Sequence, residues 1–462
     1  MKFQKAVVGL LLLIFVCSAF KANMKSASGE FSVSQKDIFV PRDYPTIQEA
    51  INAAQENSGI WVSASVYNEH IVINKSISLI GENRETTIIN GSNPGKNVVL
   101  VEANNVYISG FTIQHGDSGI FLNSVGNCVI RGNNVKNNTN GIFVNSSWNC
   151  YVEKNNVVNN TQRGIFFSYS ENFAILQNNV TVNFKSYGYG INLNVSKNCV
   201  ISRNVVKNYY WDGLGLETSL NCEVTLNTVE NIGFRGIWLD KSNNSVIYHN
   251  NFINNHLQAV VLNSYGISWD AGYPGGGNYW SDYVGVDAKS GPAQDQIGSD
   301  AIGDKAYTKD AYDRYPLIKP ISFFNLGVWN NQEYFATTVS NSTINSFNFS
   351  PEEKMISFTV EGAENTKGFC RVGIPRDVLW VNAVEDWRVL LDYVEDITVN
   401  CRVYENEEFT YIYIPYNHTT HIIQVKGTGA IPEFSMRYFL ALLMPLTAIT
   451  MVLKKKRNSR FS

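Results

Sequence analysis

The chain has 462 residues, 44% hydrophobic and 17% charged, with 37 Lys and Arg against 40 Asp and Glu for a formal net charge of −3. A body with no basic face lacks the electrostatic footprint of a nucleic-acid binder, which excludes that class of partner. The seven cysteines include no CxxC pair and the six histidines are scattered, which argues against a zinc or dithiol redox centre.

In chain order, Lys2 and Lys5 precede an apolar run over 6–16 and small residues at Ser18 and Ala19. This is the shape of a secretory signal over 1–23. Cys17 does not sit in a lipobox. A Ser/Lys-rich spacer leads to residue 37. Residues 46–55 predict a short amphipathic helix with Ile47, Ala50, Ile51 and Ala54 on one face, placed to plug one end of a stacked β-structure whose open backbone invites aggregation. Irregular short strands are expected near 71–73, 77–80, 87–89, 98–101 and 106–113.

From Gly119 onward a motif approximating Gly-Ile-x-Leu-x recurs, opening at Gly119, Gly141, Gly164, Gly190, Gly213, Gly236 and, degenerately, Gln258, with spacings of 22, 23, 26, 23, 23 and 22. Apolar residues alternate within each copy, as at Ile120 and Leu122 or Ile237 and Leu239, so each copy opens on a half-buried strand. A unit of this length buries its apolar face only by stacking on its neighbours. The fold class is therefore all-β: a right-handed parallel β-helix over 37–270, with the short helix as its N-terminal cap.

Aligned copies bring like residues into files. Asn127, Asn149, Asn172, Asn198, Asn221 and Asn244 share one corner, and Asn133, Asn155, Asn178, Asn204, Asn227 and Asn250 share another. Stacked amides at a strand spacing of about 4.8 Å hydrogen-bond along the column, and Asn tolerates left-handed corner geometry. Cys128, Cys150, Cys199 and Cys222 occupy one slot, filled by Phe173 in another copy, and are expected to be reduced core thiols. Cys370 and Cys401 are the better disulfide candidates.

Residues 271–320 change composition and are expected to form a Gly/Asp-rich loop closing the β-helix. Residues 321–429 carry alternating strands without the repeat and predict a small β-sandwich domain. Residues 430–462 hold Ile431-Pro432-Glu433-Phe434, a hydrophobic stretch over 438–453 and the cluster Lys454-Lys455-Lys456-Arg457. A stretch of that length with a basic tail predicts a C-terminal transmembrane segment whose end stays in the cytoplasm. The tail resembles the archaeal PEF-CTERM sorting signal, which implies a sorting protease as partner and a body tethered on the extracellular face of the membrane.

The opening block, the Gly-Ile-x-Leu rungs, and Gly277-Asn278-Tyr279-Trp280-Ser281-Asp282-Tyr283 with Tyr315-Pro316-Leu317 resemble the NosD-type β-helix family, within the carbohydrate-associated (CASH) β-helices. The resemblance covers roughly 37–320 and implies architecture. That family is named for a protein of copper-site maturation, but the scattered His residues give copper handling no ligand cluster. The opening block also resembles that of pectin methylesterases, whose catalytic Gln-Asp-Thr-type motif is absent here. The polygalacturonase motifs Asn-Thr-Asp, Gly-His-Gly and Arg-Ile-Lys are missing as well.

Strand alternation sends the neighbours of the buried residues outward in two columns. One carries Phe121, Phe143, Phe166, Asn192, Gly215, Trp238 and Val260; the other carries Asn123, Asn145, Ser168, Asn194, Glu217, Asp240 and Leu262. Aromatic faces beside amides and carboxylates suit a sugar chain, so Phe121, Phe143, Phe166, Trp238, Asn123 and Asn192 are the expected substrate-binding residues and a cell-surface or extracellular polysaccharide the expected partner. Glu217 and Asp240, one rung apart, fall within the separation of a retaining glycosidase pair; with Asp212, Arg235 and Lys241 they equally suit an exposed ion-pair patch. Eleven Asn-x-Ser/Thr sequons include Asn145 and Asn194 on this face. Asp282, Asp287, Asp300 and Asp304 are the candidate ligands for Ca²⁺, with a solvated acidic loop as the alternative. Three functions stay open: a non-catalytic surface protein that binds or displays carbohydrate, a polysaccharide hydrolase, lyase or epimerase using Glu217 and Asp240, and a structural or adhesive envelope component.

Overall fold

The computed structural model describes residues 37–330 and 332–431. The secretory-type segment 1–23 with Cys17, and the Pro-Glu-Phe, hydrophobic and basic parts of the tail, lie outside the described residues. Among those described, no helix is long and apolar enough to cross a membrane. The described residues divide into two compact units, one running to Glu333 and taking in Thr337–Ser340, the other made of Tyr334–Ala336 and the residues from Asn341 on.

The first unit is a solenoid of three parallel sheets. One has ten strands from Ile38–Val40 to Val246–Tyr248, another nine from Ile71–Ile73 to Leu257–Leu262, and the third ten from Ser65–Tyr67 to Tyr279–Trp280. Successive turns pair like residue with like: Ile120 with Ile142, Ile142 with Ile165, and Ile165 with Ile191. The alternate residues Ile120, Leu122, Ile142, Val144, Ile165, Phe167, Leu214, Leu216, Ile237 and Leu239 are all fully buried, in one core cluster running from Val40 to Tyr307. That continuous apolar column is what each repeat lacks alone.

The repeat-opening glycines have a packing reason. A Cβ on Gly119, Gly141, Gly164, Gly190 or Gly213 would lie closer than 3.0 Å to a valine two strands further along the same repeat (Val135, Val157, Val180, Val206 or Val229) and to the backbone oxygen of the following repeat's glycine. These positions point inward next to an inward isoleucine, so only a residue without a side chain fits.

The two asparagine files differ in kind. Asn127, Asn149, Asn172, Asn198, Asn221 and Asn244 all adopt positive φ, between 52° and 57°. Their amides link along the outside, as in Asn149 Nδ2 to Asn127 Oδ1 at 3.1 Å. Asn133, Asn155, Asn178, Asn204, Asn227 and Asn250 lie inside, and the left-handed residue at that corner is the one before: Gly132, Lys154, Gln177, Arg203, Leu226 and His249. The expectation of left-handed geometry holds for the first file and is corrected for the second. Two further inward files repeat the scheme, one of Ser147, Ser170, Ser196, Ser219 and Ser242, the other of Asn138, Asn160 and Asn255 interrupted by Tyr209 and Ile232. Where the inward residue is one of these asparagines or serines, the residue before it is left-handed and turns the chain, and the inward side chain satisfies backbone groups inside the bend.

At the N-terminal end, α1 (Ile47–Ala53) buries Ile47, Ala50 and Ile51 completely. Thr46 Oγ1 accepts from Glu49 N, and the Glu69 carboxylate accepts the N–H groups of Ile47 and Gln48 at 3.0 and 2.9 Å. Lys75 Nζ donates to the carbonyls of Ile51, Asn52 and Ala54. The orphan donors and acceptors of this short helix are thus met by side chains of opposite charge at opposite ends.

The cysteine expectation needs correction at both places. Cys199 and Cys222, register partners on adjacent rungs with Cα atoms 4.7 Å apart, form a disulfide. Cys128 and Cys150 are buried thiols, and Cys370 and Cys401 are not joined to each other. Parallel in-register stacking brings like residues to disulfide distance, which the file already implied.

Residues 271–320 cap the other end through the motif around Trp280. Asn278 extends the inner asparagine file, accepting from Asn250 N and donating to Ile247 O and Trp269 O. The Trp280 ring is fully buried, stacked on Phe252 at 4.7 Å and on Tyr307 at 4.4 Å. Asp313, also fully buried, accepts from Asn278 N, Trp280 Nε1 and Tyr315 N. Burial pushes Asp313 up to about 7 despite those donors, and likewise Asp287, also up to about 7. A carboxyl raised in the native state keeps a proton that the unfolded chain releases above its ordinary value of 3.8. Stability is therefore expected to fall as pH rises from about 4 to about 7 and to level off above. Thermal unfolding should show a higher midpoint at pH 5 than at pH 8, and Asp313→Asn should shrink that difference. An equal midpoint at both pH values contradicts this.

In the second unit, one antiparallel sheet runs in the order Thr343–Ser350, Met355–Glu361, Thr420–Lys426, Arg388–Leu391, Glu395–Asp396, and another joins Lys367–Pro375 to Phe409–Asn417 and Arg402–Glu405. Ile356, Phe358, Val360, Val372, Ile374, Ile412, Ile414, Ile423 and Val425 are among its buried residues.

Candidate functional site

The face with the candidate residues belongs to the nine-stranded sheet, in β1 (Ser118–Asn123), β2 (Asn140–Asn145), β3 (Arg163–Ser168), β4 (Tyr189–Asn194), β5 (Asp212–Glu217), β6 (Arg235–Asp240) and β7 (Leu257–Leu262). In β2, β3, β4 and β6 the glycine after the first residue points inward, and that first residue joins the outer surface beside the aromatic column, whereas the first residue of β5, Asp212, is buried. The structure thus adds outward positions that the two-residue alternation did not reveal: Asn140, Arg163, Tyr189 and Arg235.

Phe121, Phe143 and Phe166 form a continuous stack across β1, β2 and β3, with centroids 4.8 and 5.0 Å apart and planes tilted by 26° and 27°. Arg163 lays its guanidinium 4.5 Å over the Phe166 ring. The next two positions, Asn192 and Gly215, interrupt the aromatic column before Trp238. The Asn192 amide lies where a Cβ on Gly215 would project, and Asn192 Oδ1 and Trp238 Nε1 are buried without a hydrogen-bond partner. Asn123 is joined to the polar column, its Oδ1 accepting from Asn145 Nδ2 at 3.1 Å.

Glu217 and Asp240 are register partners on β5 and β6, as their spacing predicted. Glu217 is exposed, while Asp240 Oδ1 accepts from Asn263 Nδ2 at 3.0 Å. Asp212 and Arg235 do not belong to an exposed ion-pair patch. Asp212 is fully buried and held by two contacts, Arg235 Nε to Oδ1 at 2.5 Å and Nη2 to Oδ2 at 2.8 Å. Burial raises the Asp212 carboxyl, against the pull of Arg235. A buried, two-pronged pair of this kind fixes the guanidinium as a rigid plane.

That plane serves an aromatic group the sequence reading missed. Arg235 lies 4.3 Å from the Trp238 ring and 4.8 Å from the Phe234 ring. Phe234 meets Trp211 at 5.9 Å, Trp211 meets Tyr210 at 5.2 Å, and Tyr210 meets Tyr187 at 4.7 Å. Tyr187 is 74% and Trp211 37% exposed. The available signal was positional: aromatic residues stand two or three places before the repeat glycines Gly190, Gly213 and Gly236. The two outward columns ignored these turns.

The four aspartates proposed for Ca²⁺ do not fit a cation. Asp287 accepts from the N–H groups of Asp300 and Ala301, Asp300 from Ile302 N and Gln294 Nε2, and Asp304 from Ala288 N and Lys289 N. Asp282 pairs with Lys309 at 2.6 Å. These contacts hold the loop together. No group of three or more His, Cys, Asp or Glu able to hold a metal ion occurs among the described residues.

A family model described as the right handed beta helix region matches residues 34–180 and again 96–257. From residue 37 on, the matched stretch is the stack of three parallel sheets described above. A cell surface glycoprotein of Methanothermus fervidus is 34% identical to this β-helix chain over 118 residues, which cover 25% of this chain and 18% of the relative's length. Among solved structures, the Dettilon tailspike protein (gp208) is similar at 14% identity and a TM-score of 0.40, over 85% of this chain and 94% of that one. An alginate lyase from Paenibacillus is similar at 12% identity and a TM-score of 0.31, over 53% and 98%. The periplasmic alginate epimerase AlgG is similar at 17% identity and a TM-score of 0.30, over 44% and 60%.

Proposed function

We propose that this protein is an exported surface protein whose β-helix binds carbohydrate on the β1–β7 face without chemically altering it. The observation that carries the reading is the Phe121, Phe143 and Phe166 stack on an outward sheet face. Such rings are not needed to fill a core. In a rigid row they present apolar faces to the C–H side of successive sugar units, while the parallel column from Asn123 to Asp240 offers hydroxyl partners. Arg163 over Phe166, and the corner rings from Tyr187 to Trp238, extend that surface.

The kinship with a cell surface glycoprotein supports exposure outside the cell. The secretory-type start and the PEF-type tail point the same way: export, processing by a sorting protease and attachment at the membrane. A glycan array probed with the 24–429 ectodomain tests the reading. Binding to one or more polysaccharides is expected, and no binding to any immobilised glycan overturns it.

The register pairing of Glu217 with Asp240 favours a second reading, a polysaccharide-active enzyme. Reducing-end and unsaturated-product assays on wild type and on the double variant Glu217→Gln/Asp240→Asn distinguish the two. The non-catalytic reading expects no product above background from either. Product from wild type that the double variant loses would replace binding by catalysis.

A further inference from the structure

The slot that follows the outer asparagine holds sulfur in four rungs. Cys199 and Cys222 are joined, and Cys128 and Cys150 stand one rung apart in the same register, flanked by the pairs Gly126 with Trp148 and Val129 with Tyr151. The sulfurs occupy equivalent places: Cys128 Sγ contacts Gly126 O at 3.5 Å, Cys150 Sγ contacts Trp148 O at 3.4 Å, and Cys222 Sγ contacts Leu220 O at 3.6 Å. In each case the carbonyl belongs to the residue two places earlier. Both thiols are buried, at 0% and 1% exposure, and each is the largest influence on the other's acidity. Phe173, stacked on Phe167 at 4.0 Å, separates the two sulfur pairs in the file.

We propose that Cys128 and Cys150 are a second cross-rung disulfide site, closed when the protein reaches the exterior; this rests on the reading of export above. The step joins the two sulfurs and releases two protons and two electrons. The electrons pass to the disulfide of an extracytoplasmic thiol oxidant, which becomes a dithiol, by exchange through a mixed disulfide. Because buried thiols exchange slowly in the finished fold, closure belongs to the stage when the rungs are stacking. The link ties the rung of Phe121 to that of Phe143 and so holds the spacing of that ring pair, as Cys199–Cys222 ties the rungs of Asn192 and Gly215.

Peptide mapping of the full chain, purified from an exporting host and alkylated under denaturing conditions without reductant, tests this. Trypsin cuts after Arg131 and Lys136 between one pair and after Arg203 and Lys207 between the other, so each disulfide appears as two linked peptides. The expected result is both linked species, each falling apart on reduction. Alkylated Cys128 and Cys150 beside an intact Cys199–Cys222 link would overturn the second site alone. Alkylation of all four would instead remove the exported, oxidising setting and the proposal with it.

Discussion

Asn204→Ala is expected to destabilise the β-helix by on the order of 3 kcal/mol, as judged by chemical or thermal unfolding of the ectodomain. Asn204 is 1% exposed, and its Nδ2 donates to Ile175 O at 2.8 Å, Ser202 O at 3.2 Å and Asn227 Oδ1 at 3.0 Å. Its Oδ1 accepts from Asn178 N at 2.9 Å and Asn178 Nδ2 at 3.0 Å. Alanine keeps the backbone but removes the acceptor of the Asn178 N–H and a donor to the Ile175 carbonyl, both on the preceding rung, and a buried donor left unpaired costs about 1–3 kcal/mol. The control is Asn156→Ala, whose Oδ1 accepts from Asn179 Nδ2 on the exposed sheet surface. That change should stay within about 0.5 kcal/mol of wild type. Equal effects at the two positions would mean that the inner file does no more than the outer one.

Gly190→Ala is expected to cost about 3 kcal/mol for a different reason. The added methyl would press on Val206 Cγ1, which a side chain can partly relieve, and on the backbone oxygen of Gly213, which it cannot. Shifting that oxygen means moving a strand already paired on both sides, so the strain spreads to neighbouring rungs. At Gly95 a new Cβ meets nothing nearer than Asn93 Oδ1 at 3.4 Å, and Gly95→Ala should be nearly neutral. Unfolding midpoints of the two variants compare directly. A neutral Gly190→Ala would show that lack of space does not dictate the repeat glycine.

Much of the β-helix was legible because its information is periodic. Ile120 and Leu122 alternate, their counterparts recur one turn later, and in-register stacking converts that recurrence into sheets, files and the Glu217–Asp240 pairing. What the repeat pattern did not disclose is local. It could not tell that Asn127 bends the chain while Asn133 satisfies its interior, since both read as Asn at a corner. Nor could it separate Cys199 and Cys222 from Cys128 and Cys150, which share one column. The Tyr187, Tyr210, Trp211 and Phe234 cluster escaped because it lies in turns where the repeat length varies, and only the folded corner brings the rings together. The acidic loop misled by composition. Asp287, Asp300 and Asp304 read as cation ligands, yet in three dimensions backbone N–H groups claim them.

The face itself is where structure adds most to the sequence. A row of phenylalanines could have been separate surface residues; instead their rings are stacked at 4.8 and 5.0 Å and extended by Arg163. The buried Asp212–Arg235 pair, which sequence spacing suggested as a surface contact, turns out to hold a guanidinium against Trp238 and Phe234.

The most direct measurement is isothermal titration of the best oligosaccharide from the glycan array into the wild-type ectodomain and into the Phe143→Ala/Phe166→Ala double variant, with unfolding midpoints recorded for both. Loss of two stacking rings is expected to weaken binding by at least about tenfold, roughly 1.4 kcal/mol, with little change in stability because the rings lie outside the core. Equal affinity for the two proteins, at equal stability, would contradict the assignment of this face as the carbohydrate site.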